Sequence, residues 1–177
     1  MLKWRKQMSD FKVIKADEIS GNLIKMIGSD WMLITAGSKE KFNTMTASWG
    51  FAGVIWNRPS AICFVRPERH TFGFIERADN YTLSFFSDEY KDALKLCGTK
   101  SGKNTDKPKE AGLTPKILPN GTVSFEEASL ILSCRKVYAD TIKPENFLVQ
   151  HIIDNVYNKE GFHKMYIGEI TQILKKN

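Results

Sequence analysis

The sequence predicts a mainly β fold with a few helices, arranged as an antiparallel barrel or sandwich. Short runs rich in β-branched and aromatic residues alternate with turn residues along most of the 177 residues, whereas few segments have helical apolar spacing. The chain contains neither a glycine-rich GxGxxG turn nor a Walker P-loop, so neither of these nucleotide-binding folds is indicated. Many short strands with few helices favour an antiparallel arrangement.

The first predicted elements follow from apolar spacing. A stripe of apolar side chains predicts a short amphipathic helix that ends at Gly28. The stripe consists of Ile19, Leu23, Met26 and Ile27. Three β-rich runs after this helix predict strands over 31–36, 46–51 and 61–65. Asn57, Arg58 and Pro59 are typical turn residues and predict the turn between the last two strands.

The middle of the chain predicts a helix followed by a return to the sheet. Thr71 is placed to cap a helix, because its hydroxyl can accept a hydrogen bond from a free backbone N–H. Phe72, Ile75 and Ala78 then lie on one side of that helix. The β-formers of residues 81–86 predict the next strand.

The second half predicts one more helix, a long connection and two strands. Ser87 is the expected N-cap of the helix and Gly98 its C-terminal residue. Residues 98–120 are polar and contain three prolines, which predicts a long functional connection without regular structure. Strands are predicted again over 128–138 and 163–174.

Composition predicts one cytoplasmic domain over residues 1–177. No segment approaches the roughly 18 apolar residues of a membrane span, and the basic residues 1–8 are not followed by the apolar region of a secretory signal. Cys63, Cys97 and Cys134 form no CxxC pair and are odd in number. A disulfide framework is therefore not expected, which is typical of a reducing compartment.

The net charge of +6 is compatible with two kinds of partner. Basic proteins attract nucleic-acid backbones, but the lysines of this chain are scattered and form no run of five like charges. A basic pocket for a small phosphorylated molecule explains the charge as well. We therefore predict neither a nucleic-acid partner nor a membrane partner.

Three polar loops contain the residue types of a phosphate-binding site. Hydroxyl residues occupy alternate positions in 43–49, two arginines occur in 66–71, and a polar basic loop covers 101–107. Hydroxyls, backbone N–H groups and guanidinium groups are the donors that hold a phosphate. Two plainer alternatives are that the hydroxyls form the exposed face of a strand, and that Arg66 and Arg69 pair with acids such as Glu68.

These loops resemble the flavin reductase-like family, and within it the flavoredoxin-type branch. The resemblance rests on NTMTASWG at 43–50, VRPERHT at 65–71 and CGTKSGK at 97–103. Shorter runs at 125–128, 133–136 and 163–170 agree with it, so that it extends from about residue 31 to 173. It implies an FMN-binding, Greek-key split β-barrel that works as a homodimer, with the flavin near the subunit interface.

The resemblance also implies a role for each predicted cofactor-binding residue. Positions 46–49 line the flavin ring and ribityl chain, Arg66, Arg69 and Thr71 serve the phosphate, and the 101–103 loop closes over the same end. Lys103 stands where arginine is common in the family, which retains the charge but loses bidentate geometry. The complete predicted set is Asn43, Thr44, Met45, Thr46, Ala47, Ser48, Trp49, Arg66, Arg69, Thr71, Ser101, Lys103 and His163.

Other candidate residues have both a structural and a functional interpretation. Trp49 and Trp56 suit core or dimer packing as well as flavin stacking, and Cys97 is either a buried hydrophobe or a redox neighbour of the flavin. His151 and His163 would be proton donors or a metal pair, but no carboxylate or cysteine cluster lies near them in sequence. We predict no metal site and no essential catalytic side chain, because the flavin itself performs the redox chemistry.

The predicted function is that of an FMN-dependent oxidoreductase, a flavin reductase-like enzyme that takes electrons from NADH or NADPH. Two alternatives stay open from the sequence. One is a flavoredoxin-like carrier that receives electrons from a redox partner protein, and the other is a non-catalytic flavin-binding module.

Overall fold

The computed structural model describes residues 10–158 and 161–177, and an antiparallel sheet dominates them. In chain order the strands are β1 (Phe11–Ile14), β2 (Met32–Gly37), β3 (Phe42–Ala47), β4 (Gly50–Ile55), β5 (Arg58–Val65), β6 (Asn80–Phe85), β7 (Pro115–Ile117), β8 (Val123–Phe125), β9 (Leu130–Thr141) and β10 (Lys164–Lys176). Eight of them form one sheet in the order β3-β2-β6-β9-β10-β5-β4, with β1 also paired to β10, and β7 and β8 form a separate hairpin. The predicted mainly β, antiparallel fold is confirmed.

Short helices cover the ends and faces of this sheet. They are α1 (Leu23–Gly28), α2 (His70–Arg77), α3 (Lys91–Thr99), α4 (Lys107–Ala111) and α5 (Gln150–Val156), with 3₁₀ turns at Ala16–Glu18, Asp88–Tyr90 and Pro144–Asn146. Within the described ranges, no helix is long and apolar enough to cross a membrane.

The core lies on both faces of the central strands. In β2, Met32 and Ile34 pack into one apolar cluster with Cys63 and Tyr166, whereas Leu33 packs into a second cluster with the residues of α3. Side chains alternate between the two faces of a strand, so both faces of β2 are buried. This explains its continuous apolar run and confirms the predicted buried strand.

The predicted strand over 46–51 is wrong, because the chain forms two strands there. β3 ends at Ala47, β4 begins at Gly50, and Ser48 and Trp49 join them. A Cβ at Gly50 would lie only 2.8 Å from the carbonyl oxygen of Ile62, so a glycine lets the new strand approach β5 closely. The predicted turn lies earlier than expected, at Trp56 and Asn57.

Backbone geometry explains the position of that turn. Trp56 and Asn57 have φ values of 52° and 56°, the left-handed pair that a tight two-residue hairpin requires. Arg58 and Pro59, which were predicted as turn residues, are already in β5. Proline is accommodated there at the start of the strand.

Three helix predictions need correction. Thr71 is not a cap, because Arg69 holds the N-cap position and Thr71 lies buried in the first turn of α2. Gly98 lies inside α3, which ends at Thr99. Ser87 precedes a 3₁₀ turn, and its hydroxyl donates to the side chain of Glu89 instead of capping the backbone.

The long connection predicted over 98–120 contains regular structure. Asp106 caps α4 by accepting from the backbone N–H of Lys109, Pro108 lies in the first turn, and Gly112 ends the helix with φ of +67°. These are ordinary helix start and stop residues. The later strands predicted over 128–138 and 163–174 are confirmed as β9 and β10.

Candidate functional site

The three predicted loops meet at one end of the sheet. The amide nitrogen of Asn43, on β3, donates to the hydroxyl of Thr71 in α2 at 2.7 Å. Gly102, in the loop after α3, lies directly on Asn43, since a Cβ at position 102 would overlap the Asn43 side-chain oxygen. A glycine is thus needed for the 101–103 loop to approach β3.

Arg69 is anchored between α2 and α3. Its Nη1 donates to the carbonyl oxygen of Gly98 at 2.8 Å, one of the carbonyl groups that the last turn of a helix leaves without intrahelical partners. Thr46 packs on the same Gly98 and donates its hydroxyl to the carbonyl of Leu94. One hydrogen bond occupies only one of the five N–H groups of a guanidinium, so Arg69 retains donors for a ligand.

Lys107 lies at the end of the predicted polar loop 101–107 but was not among the predicted cofactor-binding residues. Its side chain is buried, and its ammonium group donates to the carbonyl oxygens of Thr44 at 2.9 Å and of Cys97 at 2.8 Å. Lys107 therefore ties β3 to α3. Burial lowers the pKa of this ammonium, and the charge of Arg69 acts in the same direction, against an opposing effect of Cys97.

The charge around this end of the sheet is strongly positive. Burial is the main cause that lowers the pKa of His70, and four surrounding cations lower it further without an opposing carboxylate. The four cations are Lys103, Lys107, Lys41 and Arg77. Within the described residues, Arg69, Lys103 and Lys107 form no ion pair. The site can therefore accept an anion as their partner.

The structure separates the predicted residues of β3 by accessibility. The side chains of Thr44, Met45 and Ala47 are buried, and the Thr44 hydroxyl bonds to that of Thr35 at 2.9 Å. These positions can offer only backbone groups to a ligand. Ser48 is half-buried, and in the next loop Ser101 and Lys103 are exposed.

Trp49 and His163 form a second part of the site. Their ring centroids lie 4.8 Å apart, although Trp49 belongs to the joint between β3 and β4 and His163 immediately precedes β10. Trp49 is 44% exposed and His163 only 9%. Trp49 thus presents a partly exposed aromatic surface beside the His163 ring, whereas Trp56 lies at the hairpin tip beside Tyr138.

Arg66 and Arg69 make different contacts, although both were predicted to bind a phosphate. Arg66 donates to the carbonyl oxygens of Val156 at 3.1 Å and Gly161 at 3.4 Å, in the segment between β9 and β10. Glu68 accepts from the backbone N–H of Gly161 at 2.8 Å. Residues 66–69 are therefore hydrogen-bonded to the segment between β9 and β10 on one side and to α3 on the other.

The imidazole of His163 is neutral at physiological pH. Burial is the main cause that lowers its pKa to about 4; the positive charge of Arg66 lowers it further, Glu68 opposes the shift, and Arg69 adds a smaller lowering effect. A neutral histidine can both donate and accept one hydrogen bond through its ring nitrogens.

This shift predicts a pH dependence of stability. Between pH 6.5, the ordinary value, and about 4, the unfolded chain binds a proton at this ring that the folded chain does not. We expect the free energy of unfolding contributed by His163 to fall as the pH is lowered through this window. Urea unfolding of wild type and His163→Gln at a series of pH values tests this, because the variant lacks the contribution. Parallel curves for the two proteins would contradict it.

Cys97 and His151 differ in burial. Cys97 is fully buried in the second apolar cluster, and burial raises the pKa of its thiol to about 11, so no thiolate forms at neutral pH. His151 is exposed on α5. In the part of the chain that the structure describes, no three histidine, cysteine or carboxylate side chains are grouped to hold a metal.

Comparison with models of known protein families shows the family of this chain. The chain belongs to the flavin reductase-like domain family, whose model matches residues 25–177. No curated protein gives a match.

Solved structures with the same fold include several split-barrel flavoproteins. An FMN-binding protein from Thermus thermophilus with bound p-hydroxybenzaldehyde has a TM-score of 0.68 and 17% identity, over 94% of this chain and 82% of that one. Flavoredoxin from Methanosarcina acetivorans has a TM-score of 0.64 and 20% identity, over 92% and 77%. Flavoredoxin of Desulfovibrio vulgaris (Miyazaki F) also has a TM-score of 0.64 and 20% identity, over 90% and 77%. At these identities the likeness shows the fold, a split barrel.

Proposed function

We propose that this chain binds FMN between the end of β3, the start of α2 and the 101–103 loop, and works as an oxidoreductase. The observation that carries the proposal is a group of cations near Gly98 and Gly102 that have no carboxylate partner among the residues the structure describes. Arg69 donates to Gly98 and is close enough to Lys107 to add to the lowering of its pKa by burial, and Gly102 lies between Ser101 and Lys103, whose backbone N–H donates to the Ser101 hydroxyl. A phosphate monoester carries about −1.5 to −2 charges at pH 7, and charge-assisted hydrogen bonds from such groups hold it strongly.

The same site suits the rest of the cofactor. β3 is the end strand of the sheet path, so its outer edge can offer backbone groups to a flat polar ring, apart from the Thr44 carbonyl, which accepts from Lys107. Ser48, Trp49 and His163 then border the ring, with the phosphate near Arg69. When bound, FMN supplies the hydride and electron chemistry; the side chains of this chain bind it, orient it and limit the access of water.

The preferred activity is the transfer of electrons from NADH or NADPH to an acceptor through FMN. Likeness to two flavoredoxins supports the second candidate, a carrier that receives electrons from a protein. An anaerobic titration of the FMN-loaded protein with each nicotinamide, followed by flavin bleaching, separates the two. Bleaching supports the enzyme. A yellow protein that neither nicotinamide reduces supports the carrier or a flavin-binding module, and failure to bind FMN would refute the whole proposal.

We also propose a homodimer, because apolar surface is exposed beside the site. The end strand β4 carries Phe51 at 64% exposure and Val54 at 75%, and Ile24 on α1 is 86% exposed. Between α1 and β4 runs an apolar groove of about 570 Å³ that includes Ser48 and Trp49. Contiguous exposed apolar surface marks protein interfaces, and an unpaired edge strand favours association.

We expect light scattering to give about twice the chain mass of 20.2 kDa. Phe51→Lys should shift the protein to the monomer, because it places a charge in the apolar groove, and should weaken FMN retention. Val13→Lys is the matched control, since Val13 is 66% exposed but lies on β1. A wild-type monomer that retains FMN fully would contradict the dimer.

A further inference from the structure

Tyr157 contacts His163 through its hydroxyl. Its oxygen lies 3.1 Å from Nδ1 of His163, and the two rings meet edge to face with centroids 5.7 Å apart. Tyr157 comes from outside the barrel, at the C-terminal end of α5, whereas His163 leads into β10. No prediction from the sequence included Tyr157.

The ring of Tyr157 is held on several sides. Phe162 stacks on it with centroids 4.5 Å apart and an interplanar angle of 22°, and Phe147 packs at its edge at 5.9 Å. The guanidinium carbon of Arg66 lies 5.4 Å from the ring centre, within the range of a cation–π contact. Arg66 also donates to the carbonyl of Val156, the preceding residue. These contacts fix where the hydroxyl of Tyr157 lies.

The chemistry of the two groups decides which of them donates. Burial raises the pKa of Tyr157 and lowers that of His163 to about 4, so both groups are neutral at physiological pH. A neutral imidazole has one N–H donor and one nitrogen acceptor. A phenol is a better donor than acceptor, and the imidazole lone pair is a good acceptor. The favoured arrangement is therefore donation from the phenol to Nδ1, which leaves the ring proton on Nε2.

Nε2 is available to a ligand. Over residues 10–158 and 161–177 it has no hydrogen-bond partner, and no fully buried side-chain nitrogen or oxygen lacks one. Nε2 must then lie at an accessible surface, although His163 as a whole is 9% exposed. Trp49, at 4.8 Å between centroids, lies beside the same ring.

We propose that Tyr157 is a positioning residue that holds His163 as the Nε2–H tautomer, so that this nitrogen donates a hydrogen bond to a carbonyl oxygen of the molecule bound beside Trp49. The carbonyl belongs either to the flavin ring or to the carboxamide of a nicotinamide. The identity of that molecule rests on the proposed function, whereas the tautomer does not. Tyr157 acts through His163 and touches no reacting atom.

Nitrogen NMR of the histidine side chains tests the tautomer directly. The chain has three histidines, and His163→Gln identifies the signals of His163. In wild type we expect Nδ1 to resonate as an unprotonated nitrogen and Nε2 as a protonated one. Tyr157→Phe keeps the ring packing but removes the donor, so it should give a mixture of the two tautomers and raise the pKa of His163. Tyr138→Phe, which removes an exposed phenol near Trp56, should change neither.

A protonated Nδ1 in wild type, or the same single tautomer in Tyr157→Phe, would overturn the proposal. The wild-type spectrum alone decides the first point if the variant does not fold. Addition of FMN alone, and of FMN with NAD⁺, identifies the acceptor by a downfield shift of the Nε2 proton in one step or the other. No shift at either step would overturn the role in ligand binding. Failure to bind FMN would refute the proposed function, while the tautomer would still decide the role of Tyr157.

Discussion

Replacement of Lys107 by methionine is expected to lower the free energy of unfolding by about 1–3 kcal/mol, the cost of one buried acceptor left unsatisfied. Methionine fills a similar volume but donates no hydrogen bond, so the carbonyl of Cys97 loses the donor that it has at 2.8 Å. The carbonyl of Thr44 loses Lys107 at 2.9 Å but still accepts from the side-chain amide of Asn43 at 3.4 Å. Urea unfolding followed by far-UV circular dichroism measures the difference.

Lys100→Met is the matched control for this variant. Lys100 directly follows α3, but its ion pair with Glu110 at 2.6 Å is exposed, and exposed pairs contribute about 0–1 kcal/mol. If Lys107→Met unfolded at the same urea concentration as wild type, the buried ammonium would not be what joins β3 to α3. The FMN affinity of Lys107→Met should also fall, because β3 and the 101–103 loop lose their common support.

The sequence predicted those strands whose burial is visible in local pattern. β2 is apolar at successive positions because both of its faces pack into clusters, and the runs that became β9 and β10 are similarly rich in β-formers. Such patterns depend only on neighbouring residues. The break between β3 and β4 at Ser48 and Trp49 cannot be predicted from neighbouring residues. It depends on how closely Gly50 approaches the carbonyl of Ile62 on another strand.

Site residues show the same division between local and tertiary information. Hydroxyls and arginines identify the three loops in the sequence. Only the fold shows that these loops meet, through Asn43, Thr71 and Gly102. The predicted loop 101–107 includes Lys107, but its burial could not be predicted, because a lysine in a polar segment is normally solvated and only the fold buries it. Arg66 and Arg69 have the same chemistry in the sequence but differ in the backbone carbonyls that they contact.

Replacement of Arg69 by alanine is expected to weaken FMN binding by about 1.5–3 kcal/mol, the range for hydrogen bonds to charged groups. This corresponds to a roughly 10- to 150-fold higher dissociation constant. The reason is that Arg69 brings a fixed positive charge and free N–H donors to the place where we put the phosphate. Quenching of FMN fluorescence on titration with the protein measures the change.

A matched arginine variant and excess FMN are the controls for Arg69→Ala. Arg58→Ala removes an arginine that pairs with Glu169 at 2.8 Å on the exposed side of β5, so it lowers the net charge equally but should leave FMN affinity unchanged. Excess FMN should restore flavin binding to Arg69→Ala, because the variant loses affinity for FMN and not its fold. Water can replace Arg69 as the hydrogen-bond donor to the Gly98 carbonyl. Equal affinity in wild type and Arg69→Ala would contradict the phosphate site at this end of β3, and equal losses in both arginine variants would mean that net charge alone attracts the cofactor.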